Sequence, residues 1–351
     1  MKSTQEFNTV PDDVAYQHMI LQHVSRTFAL TIPQLPEKLR LVVSNAYLLC
    51  RIADSIEDDK SMSIEQKKEY ADMFIDVVRN NKNVNIFSKK LFDILSPNAT
   101  DAEHNLIANT EKVIRVTHSF NKRQLSALNR CISIMCKGMA KYQIEESLNG
   151  LKNIKDMNDY CYHVAGVVGE MLTELFCDYS TDIDKNQKKL MELAVSFGQG
   201  LQMTNILKDI WEDHSRGACW LPKDHFKKYG IDISTKKPNQ NINEFNNALI
   251  ELLGVAYAHL ENALTYTLLI PKNEIGLRKF CLWAIGMAVL TLEKIRKNPN
   301  FTNGKEVKIS HLSVKLTILI TSIFVKNDAI LRFLIKLTGR HLPRVNIHEK
   351  L

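Results

Sequence analysis

Apolar residues recur at three- and four-residue steps through most of this chain, and alternating runs of Val, Ile and Thr are scarce. Between Pro36 and Asp59, the residues Leu39, Val42, Val43, Ala46, Leu49, Cys50 and Ala53 mark one face of a helix, with Pro36 suited to its first position. Leu190, Leu193, Ala194, Phe197 and Leu201 mark a second helix in the stretch from Asp184 to Asp213. Further helical runs are predicted near 103–146, 157–178, 244–270 and 275–296. Breaks fall at Ser96-Pro97, Asn149-Gly150, Gly217 to Pro222, Lys237-Pro238 and Asn298-Pro299. Several of these helices are apolar around much of their circumference, which predicts burial in a core rather than a simple surface bundle. The expectation is an all-α fold without internal repeats.

Composition narrows the class. There are only 13 Gly and 9 Pro in 351 residues, which excludes collagenous, disordered and turn-dense all-β chains. Seven Cys, none in a CxxC pair, indicate neither a disulfide framework nor a zinc site, and predict free thiols in a reducing, cytoplasmic setting. The net charge of +7 is concentrated at the end: seven Lys/Arg face two acids between His311 and Leu351. The rest is close to neutral, which argues against a nucleic-acid partner. The N-terminus lacks a signal-type apolar core. The longest uncharged apolar stretch of the tail, Leu316 to Val325, is far short of the ~20 residues that span a bilayer.

Two predicted helices end in acids. Tyr47, Arg51, Asp54 and Asp58 share one face; Gln202, Asn205, Asp209 and Asp213 share another. Such runs are usually solvated helix ends. Acids at a helix C-terminus, however, oppose the macrodipole at a cost of about 0.3–1 kcal/mol each, and here the choice is made twice. Oxygen donors four residues apart suit Mg²⁺, which binds through few carboxylates together with substrate phosphates. Arg51, Lys208 and Arg216 stand close in sequence, either to hold these acids in place or to bind a diphosphate.

Four segments, SRTF at 25–28, YLLCRIADSIEDD at 47–59, YCYHVAGVVGEM at 160–171 and QMTNILKDIWED at 202–213, resemble the squalene/phytoene synthase family in their order along the chain. A weaker match, FCLWAIGMAVLTL at 280–292 with VKI at 307–309, looks closer to the squalene synthase branch. The resemblance implies an isoprenoid-synthase fold with a helix-lined central cavity, formed by residues 1–310, followed by a basic, apolar tail at 311–351. It implies that two prenyl diphosphates, usually farnesyl diphosphate, condense head to head to a cyclopropyl diphosphate such as presqualene diphosphate. NADPH then yields squalene. Without it, proton loss yields a dehydrosqualene or phytoene-type product, the alternative reading.

By the same resemblance, Asp54, Asp58, Asn205, Asp209 and Asp213 hold Mg²⁺. Ser25, Arg26, Thr27, Phe28, Tyr47, Arg51, Gln202, Lys208 and Arg216 contact the diphosphates, and Tyr160 takes the central tyrosine position, for cation stabilisation or proton transfer. Lys308 is the candidate NADPH contact. Phe28, Leu49, Val164, Val168, Phe197, Leu201 and Phe280 are expected either to line a dry cavity or simply to pack the core. The chain departs from the family pattern where Lys208 replaces the usual arginine, losing its bidentate fork. Ala218 stands in place of a second arginine, Ala284-Ile285 in place of Pro-Gln, and Ser310 in place of an arginine. These changes bear on the reductive half-reaction more than on condensation.

The motifs differ from the DDxxD of chain-elongating prenyltransferases, and a non-catalytic homologue would be expected to lose the aspartates. In the tail, Leu312, Leu316, Leu319, Ile320, Ile323 and Phe324, then Ile330, Leu331, Leu334, Ile335 and Leu337, repeat at helical spacing among Lys315, Lys326, Arg332, Lys336 and Arg340. That pattern predicts either a core-packing helix or peripheral contact of 311–340 with the cytoplasmic face of a membrane.

Overall fold

The computed structural model describes residues 11–25, 27–144, 147–235 and 242–346, with the backbone alone at 143 and 144. The Lys237-Pro238 break lies outside the described residues. In chain order the helices are α1 Pro11–Val24, α2 Phe28–Thr31, α3 Glu37–Asp58, α4 Ile64–Val78, α5 Val84–Ile94, α6 Asp101–Ala108, α7 Thr110–His118, α8 Lys122–Ile144, α9 Ile154–Cys161, α10 Val167–Tyr179, α11 Thr181–Asp184, α12 Gln187–Lys208, α13 Ile210–Ser215, α14 Lys223–Lys227, α15 Ile242–Leu269, α16 Ile275–Lys297, α17 His311–Ile323 and α18 Asp328–Thr338. Among the described residues there is no extended strand, only an isolated parallel bridge between Leu151 and Pro222. The fold is all-α, as the periodicity predicts.

Three long runs are subdivided. The 103–146 run is α6, α7 and α8; a capping box at Thr100 and Glu103 starts the first. The 157–178 run contains a π-helical turn, Tyr162–Gly166. The 184–213 run breaks at Asp209, whose φ of −101° and ψ of 17° leave the helical region. Pro36 caps α3 from outside rather than occupying its first helical position.

The chain divides into two compact units, Met1–Ile144 with Met171–Lys185, and Glu145–Glu170 with Asn186–Leu351. In the first, α3 buries all seven residues that its spacing marks as apolar. Burying each such side chain is worth about 1.5–3 kcal/mol for the larger ones. Asn45 on α3 donates to Gln17 Oε1 at 2.6 Å and to the Val113 carbonyl at 2.9 Å, and accepts from Thr117 at 2.9 Å, so one buried amide joins α1, α3 and α7. Arg115 holds the buried Asp13 with two 2.7 Å hydrogen bonds.

In the second unit α12 packs against α15, α16 and the π-helical turn. A Cβ on Gly198 would overlap the Ala165 carbonyl, so only glycine admits this close crossing. α16 is long and apolar enough to cross a membrane, but 72% of its apolar window is buried inside the protein. It is a core helix here, flanked by α15, α17 and α18. The fully buried Arg278 on α16 donates to the carbonyls of Leu268, Ile270 and Val325 and to Asp328 Oδ1 at 2.7 Å. That one guanidinium fastens the α17–α18 linker to the end of α15.

Candidate active site

The acidic end of α3 is built on a scaffold of neighbouring groups. Ser25 Oγ accepts the Phe28 N–H at 3.0 Å and so starts the turn into α2. The Phe28 ring lies 5.4 Å from that of Tyr47, whose hydroxyl donates to the Val24 carbonyl at 2.9 Å. Val24 and Phe28 are thereby held to the Tyr47 side of α3, with Thr27 exposed; Arg26 lies outside the described residues. One turn on, Arg51 forms a tight pair with Glu103 of α6, while its Nη1 stays 3.8 Å from Asp54. Glu103 is fixed in turn by Thr100, whose N–H and hydroxyl both donate to it at 2.8 Å. Glu103 does not stand out in the sequence; its pairing partner Arg51 lies 52 positions away and leaves no local pattern.

The acids of the DSIEDD run have different environments. Asp54 is half-buried, and desolvation pushes its carboxyl up to about 7, Arg51 opposing the rise while Asp58 and Glu103 add to it. Asp58 is exposed. Asp59 is buried and accepts from Ser61 N, Ser61 Oγ, Met62 N and Ser96 N. It closes the loop after α3, and its work is structural.

In the second unit the Asn205–Asp209–Asp213 row survives the helix break, because Asp209 N donates to Asn205 O at 2.8 Å and Asp213 N to Asp209 O at 2.9 Å. Lys208 donates to both oxygens of Asp209, at 2.8 and 2.6 Å. Arg216 pairs with Asp213, which is buried. Asn205 is exposed, and Gln202 lies half-buried three residues before it.

Tyr160, at the end of α9, is buried and stacked on Trp220, with ring centroids 4.2 Å apart and planes within 3°. Trp220 is placed by backbone pairing of its loop: Leu151 N donates to Leu221 O at 2.9 Å and Cys219 N to Ser147 O at 3.1 Å. Gly150, at φ +72°, makes the turn that allows it. The sequence reading did not single out Trp220; its signal was the WLP that follows Arg216. Behind it, Asn158 accepts from Gln199 through its backbone and contacts the buried His259 ring, which reaches Ser196. Lys308 is exposed, and its carbonyl accepts from Lys294 at 2.6 Å. Among the apolar candidates, Leu49, Phe197 and Phe280 are buried, while Phe28, Val164, Val168 and Leu201 keep partial exposure. All seven cysteines are free thiols.

The donor set fits Mg²⁺: Asp54, Asp58, Asn205, Asp209 and Asp213 offer hard oxygens only. Among the described residues no three His, Cys, Asp or Glu side chains gather around one point. Instead, Asp54, Asp209 and Asp213 each have a cation beside them, in Arg51, Lys208 and Arg216. Among the described residues, the buried polar atoms without a hydrogen-bond partner include Arg51 Nε in the first unit and Glu212 Oε2 and His214 Nε2 in the second. Within its own unit, Arg51 Nε can donate to an anion; within the other, Glu212 Oε2 can meet a cation.

Comparison with known proteins bears on this arrangement. The family described as squalene/phytoene synthase matches residues 21–313. A squalene synthase of Cochliobolus lunatus is 30% identical over 313 residues, covering 87% of this chain and 71% of that protein. A squalene synthase of Saccharomyces cerevisiae is 31% identical over 294 residues, covering 83% and 63%. The chain thus spans less than two thirds of the yeast protein. In structure, a ligand complex of TcSQS superposes with a TM-score of 0.70 at 21% identity, covering 94% of this chain and 98% of that one.

Proposed function

Because the chain belongs to the squalene/phytoene synthase family, we propose that it condenses two farnesyl diphosphates head to head through presqualene diphosphate and, with NADPH, reduces that product to squalene. The observation that carries this reading is the pair of acidic motifs, in which Asp54, Asp209 and Asp213 each have beside them a cation suited to a diphosphate.

Asp54 and Asp58 in one unit, and Asn205, Asp209 and Asp213 in the other, would hold Mg²⁺, which when bound supplies positive charge to the leaving diphosphate. Arg51, Lys208 and Arg216 then exchange a carboxylate partner for phosphate oxygens. That exchange keeps them paired before and after binding and concentrates positive charge where negative charge develops. Glu103 holds the Arg51 guanidinium through Nη2, with Nη1 toward Asp54. The Tyr160–Trp220 stack presents aromatic surface at the position where the family resemblance puts the cation. NADPH when bound supplies hydride; Lys308, beside Lys294, would meet one of its phosphates. Replacing Asp209 or Asp54 with Asn tests the assignment: turnover is lost while the fold remains.

A specific observation favours a second element, peripheral contact with an anionic membrane. α17 is turned inside out. Its Thr321 is buried and Thr317 packs where Gly286 leaves room on α16, whereas Leu312, Leu319 and Ile323 are 66, 56 and 64% exposed. Phe333 and Leu337 of α18 are exposed as well. Lys315, Lys326, Arg332, Lys336 and Arg340 are all exposed among them. An outward apolar row bordered by cations matches an anionic lipid surface and disfavours a second copy, whose equal charge would repel. The hydrocarbon product also needs an apolar phase.

A further inference from the structure

The segment between α16 and α17, residues 298–310, carries the candidate Lys308. It is fastened at four places. Phe301 and Val307 are buried. The Phe301 carbonyl accepts the indole N–H of Trp211 at 2.7 Å. The Gly304 N–H donates to Glu212 Oε1 at 2.6 Å. The Lys308 carbonyl accepts from Lys294. Between these points the segment is internally braced, with Glu306 accepting from Thr302 and Asn303.

Gly304 is buried against the second acidic motif. A Cβ there would stand 3.0 Å from Asp209 Oδ1, 3.0 Å from the Lys208 carbonyl and 3.2 Å from Glu212 Oε1. The backbone therefore comes nearer Asp209 than a side chain permits without its neighbours giving way, and Lys305, the next residue, is exposed. Glu212 uses one oxygen for this bond, and its other oxygen is buried without a partner.

We propose that Glu212 is a positioning residue: through Gly304 it latches the 298–310 segment to the Asp209 motif and so keeps Lys305 and Lys308 at the site for a phosphate-bearing ligand. Two ligands share that chemistry, the diphosphate of the prenyl substrate and the phosphates of the dinucleotide. The role as stated rests on the proposed function, but the latch is a property of the unliganded chain and is read without turnover.

The test uses the full chain with Glu212→Ala and Glu212→Gln. Hydrogen exchange at the peptide containing Gly304 is measured first, then calorimetric titration with inorganic diphosphate and Mg²⁺, and separately with NADPH. In Glu212→Ala the Gly304 amide loses its acceptor, and exchange there is expected to rise at least tenfold. Affinity for one of the two probes is expected to fall about three- to tenfold, and which one falls identifies the ligand the latch serves. Glu212→Gln, whose amide oxygen still accepts, is expected to restore both. Unchanged exchange in Glu212→Ala overturns the latch. Faster exchange with both affinities unchanged overturns the positioning role. Equal loss in Glu212→Gln and Glu212→Ala shows that charge, not the latch, matters, and overturns it too. If Glu212→Ala does not fold, Glu212→Ser, whose side chain is too short to reach the Gly304 amide, supplies the same comparison. Failure to make any prenyl product, with exchange and binding behaving as expected, would count against the proposed function alone.

Discussion

Replacing Asp59 and Asp58 separately by Asn should split two adjacent acids into a structural and a functional one. Asp59 Oδ1 accepts from Ser61 N at 2.7 Å, Ser61 Oγ at 2.6 Å and Met62 N at 3.2 Å, while Oδ2 accepts from Ser96 N at 2.6 Å. Asparagine has one oxygen for the first three, so its NH₂ must face the buried Ser96 N–H. A charge-assisted hydrogen bond is lost, worth about 1.5–3 kcal/mol, and a buried donor is left unpaired at about 1–3 kcal/mol. Because these overlap, about 2–4 kcal/mol is expected in all. At roughly 2–4 °C per kcal/mol for a unit of this size, Tm should fall by about 4–16 °C. Burial alone raises the Asp59 carboxyl, but the hydrogen bonds from Ser61, Ser96 and Met62 outweigh it and hold the group below its ordinary range. Its ionised form thus stabilises the fold above the unfolded pKa near ~3.9, and the contribution is lost as pH falls through the lower folded value. The Tm gap between wild type and Asp59→Asn should therefore be full at pH 7 and close in acid. Asp58→Asn, exposed at the negative end of α3, should leave Tm unchanged or raise it slightly and abolish turnover. Thermal melts from pH 7 to pH 3 decide it: equal Tm values for wild type and Asp59→Asn at pH 7, or unfolding in Asp58→Asn, would refute the reasoning.

Other outcomes follow from the same contacts. Asp209→Asn should abolish release of diphosphate with Tm within about 1 °C of wild type; full turnover at saturating Mg²⁺ would remove Asp209 from the metal site. Desolvation raises the Asp54 carboxyl to about 7, so the folded chain binds this proton more tightly than the unfolded one. Between about pH 4 and 7 the wild type should lose stability relative to Asp54→Asn as pH rises, and parallel Tm curves would contradict this. The triple variant Leu312→Ser, Leu319→Ser, Ile323→Ser should keep its Tm and lose sedimentation with anionic liposomes at low salt; binding as strong as wild type would move the membrane contact off α17.

Helix content and the acidic motifs were legible because they are local. The seven apolar marks on α3 are buried where the spacing puts them, and the Asn205–Asp209–Asp213 row persists across its break. What sequence could not show depends on residues distant along the chain. Arg51 meets Glu103, Glu212 meets Gly304, and Asp59 reaches Ser96, none of which leaves a periodic trace. The break at Asp209 and the π-helical turn at Tyr162–Gly166 are invisible to apolar spacing because the pattern runs on through them. The spacing of the tail fits either a core-packing helix or peripheral contact with a membrane. What spacing could not show is which face packs: Gly286 admits Thr317, and the leucines of α17 are exposed.

The central claim is head-to-head condensation followed by reduction. Incubation with farnesyl diphosphate and Mg²⁺, with and without NADPH, and product identification by gas chromatography with mass spectrometry, tests it most directly. Squalene should form with NADPH, and presqualene diphosphate or a dehydro product should accumulate without it. A product distribution indifferent to NADPH would transfer the chain to a dehydrosqualene- or phytoene-type synthase, and no coupled product under either condition would contradict the account.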